Sequence, residues 1–249
     1  MAAGEGWDSV VERAVSERLW GIENLSGIPG TVGGAIVQNI GAYGAAISEV
    51  VEWVEVFDTQ SGVVKKMTAQ DCAFDYRDSF FKHDGGRHIV LCAALRLSIL
   101  AQPNLSYRDL QNRFGGGKPS LTEIREAILA IRKGKFPDLS KEGTAGSFFK
   151  NPILSRADAE RLQSKYPEMP LFSMPETAGI KIPLAWLIDH VLHLKGLRKG
   201  SARLFEAQPL VIAADRGASA SDVRALAETV QQKVREAFGI EIEEEVRII

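Results

Sequence analysis

Ser147 is the first residue whose setting could support catalysis. It lies in the segment GTAGSFFKNP, after Ala-Gly and before two phenylalanines. The segment lacks the GxSxG spacing of a nucleophile elbow, and no histidine stands at an informative distance, so a hydrolase triad is unsupported. A serine hydroxyl can instead act as a proton donor when nearby cations or hydrogen bonds stabilise the alkoxide. Spacing alone favours a capping or loop role for Ser147.

Arg77 is the second candidate, in the segment FDYRDSFFKH. Its planar guanidinium can bind a carboxylate through two parallel hydrogen bonds. A structural ion pair with Asp75 or Asp78 explains the same residues equally well. The segment therefore predicts either an anion-binding arginine or an internal bridge.

A glycine-rich run, GIPGTVGGAIVQNIGAYG, occupies residues 27–44. Glycines let a backbone take positive φ and approach a flat or phosphorylated ligand, and free amides in such a loop can bind an anion. The run fits neither the GxGxxG pattern of a dinucleotide fold nor a P-loop. Ordinary turns remain the commoner explanation of such glycines.

The remaining polar features are weaker. The C-terminal segment EIEEEVRII places three glutamates in an expected strand, where Glu243 and Glu245 share one face, yet exposed glutamates are usually only solvated. Tyr107 and Gln208 are ordinary when considered singly. His190 and His193 lie three residues apart without a third ligand in view, so no metal site is predicted.

The composition is that of a globular protein. The 249 residues are 45% hydrophobic, and 30 basic against 32 acidic residues leave a formal net charge of -2. This balance provides no global attraction to nucleic acid or to an anionic membrane. The sequence contains no apolar run long enough to span a membrane and no secretory signal, so a cytoplasmic location is expected. The two cysteines are expected to be inert, buried thiols.

Hydrophobic periodicity predicts helices packed on sheets. A capping box at Ser120 and Glu123 precedes an apolar helical stripe that extends to about Lys133. The following residues, 134–142, lack periodicity, which places a domain boundary near residue 136. Further helices are predicted at residues 7–19, 155–166, 184–193 and 221–238, and strands at residues 50–58, 63–67, 88–97, 210–214 and 240–249.

Five motifs occur together in one order: the glycine run, FDYRDSFFKH, AGSFFKNP, the segment at Trp186 to Asp189, and EEVRII. This series, which spans the chain from about Gly4, resembles the UDP-N-acetylenolpyruvoylglucosamine reductase family, also called UDP-N-acetylmuramate dehydrogenase. The resemblance implies an α+β fold. Its parts are an FAD-binding domain of the vanillyl-alcohol-oxidase (PCMH) type over residues 1–136, a smaller substrate domain over 137–239, and a strand at 240–249 that returns to the first domain.

The resemblance also implies an activity: hydride from NADPH passes to FAD and then to UDP-N-acetylglucosamine enolpyruvate, giving UDP-N-acetylmuramate for peptidoglycan. By motif position, Ser147 matches the proton donor, and Arg77 and Glu245 match the pair at the substrate carboxylate. The positions that match UDP-sugar-binding residues are Tyr107, Lys135, Asn151 and Gln208. Those that match the flavin-contacting segment are Gly30, Gly33, Asn39, Gly41 and Tyr43.

Two departures from the family pattern qualify these expectations. Met174, before Pro175, stands where this form of the enzyme has a substrate-domain tyrosine. The family also carries a glycine-rich segment for the FAD pyrophosphate ahead of the first helix. The sequence is therefore interpreted as an N-terminally shortened member, a fragment from a misplaced start, or part of a split gene. A non-catalytic UDP-sugar-binding fragment is the alternative function. The size and charge are compatible with a monomer.

Overall fold

The computed structural model describes residues 1–174 and 179–248. It has an α+β fold, and the chain divides into two compact units, Met1–Arg132 and Lys133–Ile249. Each unit has its own hydrophobic core. No helix of the described residues is long and apolar enough to cross a membrane.

The first unit is built from short helices around an antiparallel sheet. Its helices are α1 (Trp7–Ser16), α2 (Val32–Gln38), α3 (Arg108–Phe114) and α4 (Leu121–Lys135), the last of which continues past Arg132. Its strands are β1 (Gly41–Ala42), β2 (Ala45–Ala46), β3 (Val51–Asp58), β4 (Val63–Thr68) and β5 (His88–Leu95), and single 3-10 turns lie at Glu23–Leu25, Ile47–Glu49 and Phe80–Lys82.

Strand β3 is the centre of a three-stranded sheet with the order β4-β3-β5. Its alternating side chains bury Val54 and Val56 in the first core, which explains the period-2 pattern of its sequence. The chain start extends this sheet, because Ala3 N donates to Leu91 O at 2.8 Å and Ala93 N donates to Met1 O at 3.0 Å.

The second unit contains two further antiparallel sheets. Strands β6 (Gly143–Ser147), β10 (Arg198–Lys199), β11 (Ala202–Phe205) and β12 (Gln208–Ala214) have the order β10-β11-β12-β6, and β7 (Ile153–Leu154), β8 (Phe172–Met174) and β9 (Gly179–Lys181) have the order β7-β9-β8. Its helices are α5 (Arg156–Lys165), α6 (Leu184–Trp186), which continues as a π turn over Leu187–Val191, and α7 (Ala220–Phe238).

The helix starts follow the capping chemistry of the sequence. Ser120 N donates to Glu123 Oε2 at 2.8 Å, which confirms the capping box at α4. Ser155 and Ser219 accept from the amides of Asp158 and Asp222 at the starts of α5 and α7. Helix α7 ends at Gly239 in the left-handed conformation, as its sequence indicates.

Two expectations about buried elements need correction. Cys72 is buried, and burial raises its pKa to about 11, but Cys92 is only half-buried and its Sγ lies 3.6 Å from Glu55 Oε1. The predicted strand at residues 240–249 is wrong, since residues 240–248 form only one bridge, between Phe149 and Glu244. Ile240 and Ile242 of this segment are buried in the core of the second unit.

The β3–β4 hairpin ends on a buried carboxylate. Arg87 donates to both oxygens of Asp58, at 2.8 and 2.6 Å, and the amide of Gln60 donates to Oδ1 at 3.0 Å. The Arg87 hydrogen bonds hold the pKa of Asp58 well below its usual range. A depressed pKa in the folded state stabilises the fold above the unfolded pKa of about 4, and this contribution is lost as pH falls further.

Asp58→Asn is therefore expected to lower the melting temperature at pH 7 and to flatten its decrease below about pH 4. Thermal unfolding between pH 3 and pH 7 measures both effects. Glu126→Gln on the exposed face of α4 is the matched control. An unchanged slope below pH 4 in Asp58→Asn would contradict this role.

Candidate functional site

In the first unit, the glycine run forms α2 and the turns on either side of it. Gly30 has a φ of +113°, is exposed, and has open space where a Cβ would lie. Gly33 is packed against the chain start, because a Cβ there would lie 3.0 Å from the Ala3 Cβ. The amides of Val32 and Gly33 are already bonded to Glu5 O and Ala3 O.

These contacts decide what kind of group fits the run. The backbone at Gly30 presents a surface without side chains, which suits the close approach of a flat ring such as the isoalloxazine of FAD. The amides of Val32 and Gly33 at the start of α2 are not available to a pyrophosphate, since the chain start accepts their hydrogen bonds. The run therefore fits the ring end of a flavin better than its phosphates.

Arg77 lies directly on the second half of the run. Its Nη2 donates to Gly41 O, and a Cβ on Gly41 would lie 2.7 Å from Arg77 Nη1. Gly41 is therefore required for the guanidinium to approach this closely. Arg77 itself has a φ of +54° in a tight turn in which Asp75 and Asp78 exchange both backbone hydrogen bonds, at 3.1 and 3.0 Å.

The Arg77 turn is anchored to the end of α2. Asn39 Nδ2 donates to Asp75 O at 2.7 Å, and Ser79 Oγ donates to Val37 O at 2.6 Å. The carboxylate of Asp78 lies 2.7 Å from His83 Nε2. Burial raises the pKa of Asp78, but hydrogen bonds from His83 and Ser79 outweigh that effect and lower it. The strained turn thus holds Arg77 against the glycine run.

Tyr43 and Tyr107 also meet in the first unit. Their rings are edge to face, with centroids 5.1 Å apart. Tyr43 is buried and has a φ of +50°, whereas Tyr107, just before α3, is exposed. Beside Tyr43, Arg132 Nε donates to Gly27 O at 2.9 Å, and burial lowers the pKa of this guanidinium against the opposing effect of Tyr43.

In the second unit, Ser147 is the last residue of β6 and pairs with Val211 of β12. The two phenylalanines that follow it are buried in the core, with ring centroids 5.2 Å apart. They fix the backbone immediately after the serine. Gly146, before it, has a φ of +84°, a conformation that favours glycine.

Glu245 lies beside this end of β6. Its amide donates to Phe148 O at 2.8 Å, and Lys150 N donates to Glu243 O at 2.9 Å. The C-terminal segment is thus paired antiparallel to residues 148–150, and the Glu245 backbone is bonded to the residue that follows Ser147. Two segments that carry predicted catalytic residues, far apart in sequence, are thereby paired through their backbones.

The other predicted substrate-binding residues of this unit lie on nearby segments. Asn151 Oδ1 accepts from Leu184 N at 3.0 Å, so one end of its amide fixes the start of α6. Lys135 ends α4 before Phe136, whose ring is 4.0 Å from the Cβ position of Gly146. Gln208 begins β12 at the bulged corner of its hairpin with β11.

Three further sequence expectations can be located. Met174 ends β8 opposite Gly179, while the Pro175 that follows it lies outside the described residues. The ring of His190 stacks on that of Trp186, with centroids 4.9 Å apart, and His193 has a φ of +52°. Among residues 1–174 and 179–248, no group of three or more potential ligands could hold a metal ion. Sequence analysis assigned no role to Asn24 or Asn104. The only feature that could have drawn attention to them is that each lies in a short polar loop.

An FAD-binding domain sequence model matches residues 1–68, so the chain carries part of an FAD-binding domain. The model of the C-terminal domain of UDP-N-acetylenolpyruvoylglucosamine reductase matches residues 138–249. The reductase of Pseudomonas aeruginosa is 41% identical over 247 residues, which cover 98% of this chain and 72% of that protein. The chain belongs to the UDP-N-acetylenolpyruvoylglucosamine reductase family.

Other members agree with this assignment. The reductase of Chromobacterium violaceum is 40% identical over 254 residues, covering this whole chain and 74% of that protein. The crystal structure of the Thermus caldophilus reductase superposes with a TM-score of 0.66 at 26% identity, over 98% of this chain and 70% of that one. The α+β fold and the FAD-binding class are therefore those of the family.

Proposed function

We propose that this chain reduces UDP-N-acetylglucosamine enolpyruvate to UDP-N-acetylmuramate, with NADPH as the hydride source and FAD as the carrier, in the synthesis of peptidoglycan precursors. The observation that carries the proposal is the backbone pairing of Glu245 with Phe148, which joins the C-terminal glutamate to the serine segment. On this proposal the protein acts in the cytoplasm as a monomer, in cell-wall biogenesis and so in cell shape and division.

In this proposal, residues 1–136 contribute to the flavin domain and residues 137–239 to the UDP-sugar domain. Bound FAD would supply hydride to C3 of the enolpyruvyl group. Gly30 offers the open backbone for its ring, and the positions of Gly33, Asn39, Gly41 and Tyr43 shape the same run. The chain's own residues must then control the charge and the proton.

Arg77 is assigned to the developing negative charge. Hydride addition at C3 leaves electrons that delocalise from C2 towards the carboxylate, and a fixed guanidinium stabilises that charge without reorganising. The Gly41 carbonyl and the strained turn hold this guanidinium in place before any ligand binds. Such preorganisation is what lowers the barrier of the reduction.

Ser147 is assigned to the proton that completes the reduction at C2. The buried phenylalanines after it and the pairing of β6 with β12 limit the motion of its backbone. Glu245, on the adjoining segment, orients the reacting group beside Ser147. A positioned proton donor contributes about 10²- to 10⁴-fold to a rate.

Four residues are assigned to the UDP-sugar. Lys135 provides a point charge for the diphosphate, and Tyr107 covers the nucleotide. Asn151 and Gln208 provide amide groups, and the bond from Leu184 N to Asn151 Oδ1 fixes how the Asn151 side chain is presented. The ordinary chemistry of these residue types supports the assignments.

The proposal is tested by producing the full chain with excess FAD. We expect a retained flavin absorbance spectrum and oxidation of NADPH that depends on the enolpyruvyl UDP-sugar. A folded, colourless protein that still binds the UDP-sugar would instead identify the alternative, a non-catalytic binding fragment. Replacing NADPH with NADH in the same assay measures the donor preference.

A further inference from the structure

A buried asparagine joins two loops of the first unit. Asn24 is 2% exposed, and its Nδ2 donates to Tyr43 O and to Asn104 O, both at 2.8 Å. A side-chain amide nitrogen carries two hydrogens, so it can satisfy two carbonyls at once. Asn24 Oδ1 is buried and has no partner within the described part of the chain. These two donated bonds therefore define the position of its side chain.

Asn104 continues the connection between the same loops. Its Nδ2 donates to Gly44 O at 2.8 Å, while its Oδ1 accepts from Ser106 N at 3.1 Å and from Ser106 Oγ at 2.6 Å. Gly44 has a φ of +86°, and a Cβ on it would lie 2.7 Å from Ser106 Oγ. Only glycine permits this approach. We refer to Asn24, Gly44, Asn104 and Ser106 as the asparagine network.

The network ends at Tyr107. This tyrosine follows Ser106 directly, and its exposed ring meets the buried ring of Tyr43. Gln111 Nε2 donates to Ser106 O at 3.0 Å, which ties the same loop to α3. The loop before Tyr107 is thus bonded both to the glycine run and to a helix.

We propose that Asn24 and Asn104 are positioning residues that hold Tyr107 over the glycine run for binding of the UDP-sugar. This inference rests on the proposed function, because it takes Tyr107 to contact the nucleotide. An exposed tyrosine on a loose loop would lose conformational entropy on covering a ligand, and fixing the loop in advance removes that cost from binding. The network acts through Tyr107 and touches no reacting atom.

The test uses Asn104→Ala in the full chain with bound FAD. Loss of its hydrogen bonds is expected to raise KM for the enolpyruvyl UDP-sugar about tenfold, with kcat and the rate of flavin reduction by NADPH changed less than about twofold. Calorimetry with the same UDP-sugar should show an equal loss of affinity. Asn104→Asp keeps the acceptor for Ser106 and loses the donor to Gly44. Its KM is expected to lie between those of Asn104→Ala and the unsubstituted protein. Asn112→Ala, on the exposed face of α3, is the control.

A double-mutant cycle separates this inference from the function on which it rests. If Asn104 acts through Tyr107, Asn104→Ala should have no further effect on KM in a Tyr107→Ala background. Additive effects, or equal losses of kcat and affinity in Asn104→Ala, would overturn the positioning role while leaving the reductase proposal intact. A Tyr107→Ala variant that binds the UDP-sugar normally would overturn the positioning role and the assignment of Tyr107 together. If the unsubstituted chain did not reduce the UDP-sugar, only the proposed function would be contradicted. The same double-mutant cycle, measured by calorimetry as affinity for the UDP-sugar, would still test whether Asn104 acts through Tyr107.

Discussion

Ser147→Ala is expected to lower the rate of substrate reduction about 10³-fold while the rate of flavin reduction by NADPH stays within about twofold of the unsubstituted protein. The reason is that, in the proposed function, Ser147 delivers the proton to C2 and takes no part in the transfer of hydride from NADPH. Ser147 ends β6 and is followed by the buried Phe148, whose carbonyl accepts from the Glu245 amide, so the substitution removes one oxygen without opening the core.

Rapid mixing separates the two half-reactions. The first mixes oxidised protein with NADPH, and the second mixes the reduced protein with the enolpyruvyl UDP-sugar. Ser164→Ala, on the exposed face of α5, is the matched control and should change neither. A parallel fall of both rates in Ser147→Ala would contradict the assignment of this serine as the proton donor.

Arg77→Ala is expected to have the second largest effect, a loss of about 10²- to 10³-fold in kcat/KM for the UDP-sugar. Arg77→Lys should recover only part of this loss, because an ammonium lacks the planar pair of donors that matches a carboxylate. In the proposed function, the charge that Arg77 stabilises appears only during reduction of the substrate. Flavin reduction by NADPH is therefore expected to be unaffected in both variants.

Steady-state kinetics with each variant, together with the rate of flavin reduction, measures this separation. Arg224→Ala, at an exposed position of α7, controls for the general loss of a positive charge. Full recovery of kcat/KM by Arg77→Lys would show that a point charge suffices and would contradict two-pronged binding. A loss of bound flavin in Arg77→Ala would indicate instead that this residue mainly supports the glycine run through Gly41.

Local chemistry accounts for the elements that the sequence predicts well. Helix α7 follows from its apolar spacing and its stop at Gly239, both of which are local features, whereas its cap at Ser219 lies two residues before the predicted start. The same reasoning places β3 and its partners β4 and β5, where alternation shows which face is buried. The helix predicted at residues 184–193 is shorter and becomes a π turn at Leu187, a change of hydrogen-bond register that periodicity does not encode.

Long-range pairing accounts for what the sequence predicts poorly. Alternation suggested a strand at residues 240–249, but only the bridge between Phe149 and Glu244 forms, since the burial of Ile240 and Ile242 decides where this segment lies. The pairing of Met1 and Ala3 with β5 likewise depends on residues distant in sequence. Neither the position of residues 240–248 nor the pairing of Met1 and Ala3 can be predicted from short stretches of sequence.

In the candidate site, too, some features could be predicted from the sequence and others depend on tertiary packing. The residue types at Ser147 and Arg77 indicated proton donation and anion binding, but spacing alone left a structural role open for both, and Glu245 was expected to be only solvated. Their ordering into the motifs of one family supplied the roles. The proximity of Glu245 to the Ser147 segment, and the bonds from Asn24 to two separate loops, depend on tertiary packing that one sequence does not reveal.

The most direct test of the reductase proposal is a single-turnover experiment on the full chain with FAD bound. The protein is reduced with dithionite in the absence of oxygen and mixed with UDP-N-acetylglucosamine enolpyruvate. We predict that flavin absorbance returns with the formation of one UDP-N-acetylmuramate per flavin, and that Ser147→Ala abolishes this return on the same timescale. A flavin that stays reduced in the presence of saturating substrate would contradict the proposed activity.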